Sequence, residues 1–572
     1  MKENRKLFSP ACILMYVLLA TVALLSGCAT YGEGIKKSME SVQRGDYQDA
    51  KSLLKKNLDP EGDDRLLYHL ELGTIEYLEG QYEQSVDHFN TAEVIAEDLY
   101  TTRADEVLSS MLLNPRQSDY AGQAFEKVYI NYYKALNFLN LFEDAHKEEK
   151  KKDYLEKARV EVRRLDFKLH SREIEQGSYQ ELQDKKQKLF VKLLDLFKKL
   201  QGQWVDEDWL VFREDAYARY FSGVLYEMNG EYDDARISYQ KSAKLYEQGY
   251  REQYGLDQKM QEQAWFDTIR MMRTTGGWGG EWPRLAKEKL SEQKRDRLKP
   301  YSEKDAQIVI IQHLGRVPQR EELNLRLSAH PEKKSLVLAP ILIGSKQKNR
   351  DQLSWFFLLY ADKGVLDIVK NYALGELYGV AKGFVSKTIY LGPAWDLAQS
   401  INLPQTLGRT GIRVTIPYYR PLRSKWGDSR VLLDGQKGFS LLRADSVAEL
   451  ALQNQLLTAG RDLRIALARA ALKNILAAEG GKALGKQTVG SELGAKIFQI
   501  LGKGIASASS AAETRNWLLL PREIRVLRLP VSAGRHSVTL NSYKDSGVLH
   551  RTTTRSFVLD PGEIKVWVHR SL

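Results

Sequence analysis

Residues 66–95 read LLYHLELGTIEYLEGQYEQSVDHFNTAEVI, and this stretch decides how the first half of the chain folds. Apolar side chains recur at helical spacing on both sides of Gly80, so two helices flank a turn carrying Gly80 and Tyr82. The small residues Gly73, Ser85 and Ala92 let the two antiparallel helices approach closely, and Phe89 fills the gap between one pair and the next. The same Gly-x-Tyr-x-x-(Ala/Ser) turn stands 35 residues upstream at Gly45, Tyr47 and Ala50. It returns at Gly230, Tyr232 and Ala235, with Gly223 at the offset of Gly73.

The period and the residue types resemble the tetratricopeptide (TPR) repeat, a helix–turn–helix unit of about 34 residues. Glu76 stands where that repeat carries a first-helix tyrosine, which Tyr226 supplies in the third copy. Between the second and third copies, 125–141 (FEKVYINYYKALNFLNL), 153–165 and 189–200 also have helical patterning. Residues 35–272 are therefore expected to form one TPR-like helical solenoid. The resemblance implies a concave face that binds a peptide or a protein partner, with Tyr68, Tyr132, Tyr133, Tyr217 and Tyr220 as aromatic candidates to line it.

Upstream of the repeats the chain has Lys2, Arg5 and Lys6, an apolar run from Ala11 to Leu25, and then Leu25-Ser26-Gly27-Cys28. A basic end, a short apolar core and small residues make an export signal, and the run is shorter than the ~20 residues that cross a bilayer. The cysteine after the small residues resembles the lipobox of bacterial lipoproteins. The resemblance implies a signal peptide over 1–27, cleavage between Gly27 and Cys28, acylation of Cys28 and a lipidated tether over 28–34. Ala29 and Thr30 are not the aspartate that retains such proteins in the inner membrane, so an outer-membrane anchor facing the periplasm is expected.

Charge is unevenly placed along the 572 residues. Residues 28–150 hold 13 Lys/Arg against 24 Asp/Glu, a balance of −11, and residues 401–572 hold 26 against 12, a balance of +14. Export removes nucleic acid as the partner of the basic half, leaving anionic lipid, lipopolysaccharide, peptidoglycan or an acidic protein surface. Of the two cysteines, Cys12 lies in the signal and Cys28 carries lipid, so neither a disulfide nor a thiolate metal site is expected. The nine histidines form no His-Glu-x-x-His, and the chain has no Gly-x-Ser-x-Gly elbow and no phosphate loop. The expectation is a non-enzyme without metal or cofactor. A wall-modifying enzyme, or the activator of one, is the alternative, because a lytic enzyme needs only well-placed carboxylates.

Four glycines within Gly276–Gly280 read as a flexible link and the charged run 285–299 after them as a helix or a solvated linker, which together make a linker region over 273–305. A mixed β domain follows over 306–572. Strands are expected within 306–327 on either side of Gly315–Pro318, at 413–419 and 430–433, and in the tail at 523–529, 535–541, 551–559 and 564–568. A β-sandwich with a helical insertion over about 445–505 accommodates them. The fold class is thus α+β, a TPR-like all-α solenoid followed by a β-sandwich-like domain.

The lipobox, the degenerate repeats, Gly-Arg-Val-Pro (315–318), Ile-Pro-Tyr-Tyr (416–419) and Glu-Thr-Arg-Asn-Trp-Leu-Leu-Leu-Pro (513–521) occur in this order. Together they resemble a family of bacterial outer-membrane lipoproteins with TPR-like repeats, whose motif falls here on Thr514, Arg515, Trp517, Leu520 and Pro521. The resemblance implies an interaction scaffold in envelope maintenance or assembly and no catalysis. Membership of an export or surface-assembly complex is a further alternative. Trp517 is expected to bury against the final sheet, with Arg515 tying its loop to carbonyls or a carboxylate.

Overall fold

The computed structural model describes residues 31–112, 115, 118–171, 215–298, 305–358, 386–421, 426–478 and 511–572. The signal segment, Cys28 and the expected helix at 189–200 lie outside them, as do most of 354–383 and of 480–512.

The helical half is a row of antiparallel hairpins. These are α1 (Lys36–Arg44) with α2 (Tyr47–Asn57), α3 (Arg65–Glu79) with α4 (Tyr82–Leu112), α5 (Ala124–Asp144) with α6 (Glu148–Ser171), and α7 (Ala216–Met228) with α8 (Tyr232–Leu245). A further helix, α9 (Gln258–Thr275), packs on α8. Three hairpins turn at Gly45, Gly80 and Gly230, whose φ of 80°, 85° and 75° is the left-handed conformation that a side chain resists. Three helix starts are capped by side chains: Asp46 accepts from Asp49 N and Asp215 from Ala218 N, while Gln123 and Glu126 form a capping box. Across the second hairpin Ser85 Oγ donates to Gly73 O at 2.7 Å, a bond that only two closely approaching helices can make.

The charged run after the glycines is helical, one of its two readings. Helices α10 (Trp282–Lys289) and α11 (Glu292–Leu298) fold back on α9, burying Ala286, Leu290 and Leu298, and Arg273 lies over the Trp282 ring while bonding Leu298 O. Only the turn at Gly276 and Gly277, both with positive φ, keeps the character read from the glycines.

The β half contains three four-stranded sheets among the described residues. The first runs β12 (Ile564–Ser571), β1 (Ala306–Leu314), β9 (Glu523–Val531), β8 (Leu442–Asp445), with β1 parallel to β12 and antiparallel to β9. The second runs β11 (Leu549–Leu559), β10 (Gly534–Tyr543), β6 (Ser429–Leu433), β7 (Gln436–Ser440). These two face each other over a core of Ile308, Ile310, Leu527, Leu529, Val538, Leu540, Phe557 and Trp567, which is the sandwich. The third runs β4 (Lys387–Tyr390), β3 (Ser335–Ile341), β2 (Arg320–His330), β5 (Ile412–Tyr419). Beside it lie α12 (Lys346–Leu358) and the long α13 (Val447–Ala478), which packs on β5. The two strands expected around Gly315–Pro318 are therefore not a hairpin: β1 and β2 belong to different sheets. Helix α13 stands between β8 and β9 in the chain, and these two strands pair directly with each other, so the helix is an insertion between neighbouring strands of the first sheet.

Strand β1 explains how the halves join. Ile308 and Ile310 point into the sandwich, whereas Val309 and Ile311 belong to the core shared with the helices. A strand buried on both faces reads as a nearly continuous apolar run, as AQIVIIQHL does. Ile524 and Val526 of β9 and Ile564 and Val566 of β12 line the same helix-facing side. The helical array and the β half thus share one hydrophobic core.

Candidate functional site

The concave side of the array is where the repeat resemblance places a ligand, and three sets of contacts from the β half fill it. The first is a strap, residues 511–521. Trp517 is fully buried, 5.4 Å from the Tyr133 ring and 5.6 Å from that of Phe89, and its Nε1 donates to Thr74 Oγ1 at 3.0 Å. It is buried against the repeat helices, not against the final sheet as expected. The backbone N–H groups that follow end on carboxylates of the array. Trp517 N donates to Glu126 Oε1 (2.8 Å), Leu518 N to Glu71 Oε1 (2.6 Å) and Leu519 N to Glu71 Oε2 (3.1 Å). Leu520 and Pro521 are buried, and Leu520 O accepts from Val317 N at 3.0 Å, joining the strap to the Gly315–Pro318 loop. Thr514 is buried beside Arg515.

Arg515 fastens the start of the strap. Its guanidinium reaches Glu513 Oε2 (2.7 Å), Asp64 Oδ1 (3.0 Å) and the carbonyls of Asp63, Pro115 and Ser118, with the Tyr120 ring 5.4 Å away. Carbonyls and carboxylates were the expected partners of this arginine, and a planar fork of five donors suits such a set.

The second set is ionic. Arg528, on the helix-facing side of β9, donates to Tyr239 Oη (2.8 Å), Glu227 Oε2 (2.7 Å) and Gln307 Oε1 (2.5 Å). Glu227 also takes both terminal nitrogens of Arg270, whose Nε reaches Asp267 Oδ1 at 3.2 Å, and Tyr220 donates to Asp267 at 2.7 Å. The third set is phenolic. Tyr132 Oη lies 2.8 Å from both His313 Nε2 and Tyr217 Oη, while Tyr129 and Tyr250 donate to the two oxygens of Asp445 at 2.6 and 2.9 Å.

Electrostatics differ sharply between these contacts. Burial pushes the Glu71 carboxyl up to about 8, against the Leu518 and Leu519 N–H groups and the Tyr31 hydroxyl, which favour the charged form. Burial acts the same way on Glu227, but Arg270 and Arg528 override it and hold that carboxyl at about 2. Burial with Arg570 and His569 nearby keeps His313 neutral, well below its usual value.

Of the five candidate tyrosines, Tyr132, Tyr133, Tyr217 and Tyr220 are fully buried and all face this seam or its ionic network, whereas Tyr68 is half-buried beside His69. The repeat-defining residues set up the frame and do not themselves bond to the β half, Phe89 excepted. Gly73, Ser85 and Ala92 are buried between α3 and α4, and Gly223 and Ala235 between α7 and α8. Ala50 is buried under α1, where Ser38 Oγ donates to its carbonyl, and Tyr47, Tyr82 and Tyr232 sit at the turns. Glu71, Glu126, Glu227 and Arg528 were not anticipated, though the signal was present. Glu71 interrupts the buried leucines of α3, and Arg528 shares a strand face with Ile524 and Val526. A charge on an apolar face marks a buried partner.

Among the described residues no helix is long and apolar enough to cross a membrane, and no group of three or more His, Cys, Asp or Glu is placed to hold a metal ion.

No family model and no curated protein matches the chain. Among solved structures, a thermophilic TPR protein of Thermus thermophilus is similar at 14% identity and a TM-score of 0.21, over 46% of this chain and 95% of that one. BtubC of P. vanneervenii is similar at 15% identity and a TM-score of 0.25, over 51% of this chain and 88% of that one. Neither similarity is close enough to carry an argument, and the TPR-like character rests on the hairpins themselves, with their glycine turns and Gly73–Phe89 packing.

Proposed function

We propose that the chain is an outer-membrane lipoprotein facing the periplasm, acylated on Cys28, that serves as a protein-interaction scaffold in maintaining or assembling the cell envelope. The lipobox supports the anchor, and two or more acyl chains are enough for stable attachment. The observation that carries the scaffold reading is the filled concave side. Because strap and sheet occupy it, a partner meets the outer surface of the unit. That surface includes an edge of the sandwich: among the described residues β11 is the outermost strand of its sheet, and most of Leu549–Ser556 is exposed, with His550, Arg551 and Arg555 and no acidic residue. Unpaired N–H and C=O groups along such an edge are ready to pair with another chain, and the basic side chains favour an acidic one or an anionic envelope polymer.

Metabolic labelling with a palmitate analogue tests the anchor: wild type should label and Cys28→Ser should not, and equal labelling would remove the localisation. A photo-crosslinking residue at Thr552 should capture a partner in cells, whereas one at Tyr133 should capture none. Capture from Tyr133 alone would return the binding site to the concave face. Release of soluble fragments from peptidoglycan by the purified protein would overturn the non-enzymatic reading.

A further inference from the structure

A short run of hydrogen bonds ties Tyr31 to one end of the first sheet. Tyr31 Oη donates to Glu71 Oε1 at 3.2 Å, Glu71 accepts from Leu519 N, and Leu519 O accepts from Arg570 Nη2 at 2.9 Å. The same nitrogen donates to Gly315 O at 2.7 Å, just past the end of β1. Gly32 lies against the Gln319 side chain, which a Cβ on the glycine would overlap. Near that end of β1, Gln312 Nε2 reaches both Ser542 of β10 and Ser571 of β12. The β10–β11 turn, residues 544–548, therefore projects from the Tyr31 end of the molecule. The turns at 532–533 and 560–563 project from the opposite end, about 27 Å away along the nine residues of β1.

The turn at 544–548 is closed by Lys544 N on Val548 O and Gly547 N on Lys544 O, both at 2.8 Å. It exposes two adjacent apolar side chains, Val548 at 60% and Leu549 at 50%. Lys544, His550 and Arg551 flank them, all exposed, against the single carboxylate of Asp545. Trp426 packs edge-on against His550, with the ring centroids 4.4 Å apart. Exposed apolar side chains flanked by cations and a tryptophan are the composition of a surface that sits in a lipid headgroup layer.

We propose that this turn docks on the phospholipid surface of the membrane that holds the anchor, with Val548 and Leu549 entering the boundary between headgroups and acyl chains. The docking rests on the acylation of Cys28 proposed above. Three residues separate Cys28 from Tyr31, so their Cα atoms lie at most about 11 Å apart. An acylated Cys28 thus keeps the Gly315 end of the sheets beside the bilayer, within reach of the turn. One tether leaves the body free to tilt, and the turn supplies the second contact that fixes its orientation. Lys544 and Arg551 then meet lipid phosphates. Strand β11 leads away from the surface, so Thr552–Ser556 stay clear of the lipid and open to a partner.

The test uses the full-length acylated protein with a bimane label on Ser546→Cys in the turn or on Ala533→Cys at the opposite end. It is reconstituted in vesicles of phosphatidylethanolamine and phosphatidylglycerol, with and without spin-labelled lipid as quencher. Emission from position 546 should fall at least twofold, and that from position 533 should not change. Adding Val548→Asp and Leu549→Asp should bring position 546 to the level of position 533. Both side chains are exposed, so the melting temperature should stay at the wild-type value, and if this variant fails to fold the comparison of 546 with 533 still decides. Replacing phosphatidylglycerol with phosphatidylcholine should reduce the quenching. Protein that does not float with the vesicles overturns the anchor and the docking together. Protein that floats but is quenched equally at 546 and 533, or fully in the aspartate variant, leaves the anchor standing and overturns the docking. Quenching unmoved by the change of lipid overturns the part given to Lys544 and Arg551.

Discussion

The hairpins α3–α4 and α7–α8 share one register: the close-packing glycine, the turn glycine and the ring that meets the first glycine fall at the same offsets, Gly73, Gly80 and Phe89 in one and Gly223, Gly230 and Tyr239 in the other. Two exchanges within that frame change what each hairpin grips. Phe89 becomes Tyr239, and Tyr77 becomes Glu227. The first hairpin offers rings and receives Trp517. The second offers a hydroxyl and a carboxylate and receives Arg528. The repeat fixes where helices and partner segments lie, and two side chains per repeat decide whether the joint is apolar or ionic.

Removing the centre of each joint should have the largest effect. Glu227→Ala leaves Arg270 and Arg528 buried without their shared carboxylate, and breaking such a pair costs about 3–5 kcal/mol. Trp517→Ala leaves a cavity beside Phe89 and Tyr133, again about 3–5 kcal/mol. Urea unfolding measures both. The comparison sharpens with Glu227→Gln, which keeps the volume: it should still lose much of the stability, because two buried guanidinium groups then share the single carboxylate of Asp267 where they had two. Recovery to wild-type stability would show that the second joint is held by packing and not by charge.

Next in size is the response to pH, where the two carboxylates oppose each other. Glu71 has a native value of about 8 against an ordinary 4.5, so the folded state holds its proton more tightly. Its contribution is complete below pH 4.5 and is lost as pH rises through 8. Glu227, held at about 2, contributes above pH 4.5 and loses that contribution as pH falls through 2. Between about pH 6 and 8, wild type should therefore lose roughly 2 kcal/mol more than Glu71→Gln does. Other buried carboxyls, such as Glu126, shift in the same direction, so the difference between the two curves is the quantity to read. Glu227→Gln should leave the slope in that window unchanged. Parallel curves for wild type and Glu71→Gln would mean that Glu71 is charged in its pocket throughout.

These joints also mark how far the sequence could be read. The turn glycines and Gly73, Ser85, Phe89 and Ala92 declare themselves because a helix hairpin is a local object whose signals sit within one repeat. Burial of Trp517 was legible from its size and its apolar neighbours, but not its partner, since Thr74 is more than four hundred positions away in the chain. The parallel pairing of β1 with β12 was hidden for the same reason. Gly276–Gly280 marks only the turn, because glycine density reports backbone freedom, whereas Leu290 and Leu298 decide that the charged run behind it packs as helix, one of its two readings. Of the five candidate tyrosines four, Tyr132, Tyr133, Tyr217 and Tyr220, are buried in the seam beneath segments from the other end of the chain, and Tyr68 stands apart from it.

The smallest expected effect separates the two hairpins most cleanly. Alanine in place of a helical glycine gains about 1 kcal/mol from backbone entropy if the new methyl fits. At Gly73 a Cβ would sit 3.2 Å from His88 Cβ and 3.3 Å from the edge of Phe89, a ring with no polar anchor, so a shift of a few tenths of an ångström relieves it. At Gly223 the Cβ would lie 2.6 Å from the Tyr239 ring, whose hydroxyl is pinned by Glu227 and Arg528. That ring cannot retreat without loosening the ionic joint. Gly73→Ala should thus stay within about 1 kcal/mol of wild type, while Gly223→Ala should lose about 1–3 kcal/mol by overpacking. Pairing Gly223→Ala with Tyr239→Phe, which frees the ring from its anchors, should shrink the cost of the alanine. If the cost is instead the same in both backgrounds, the hydrogen bonds do not hold the ring in place, and the ionic joint and the helix contact of the second hairpin are independent.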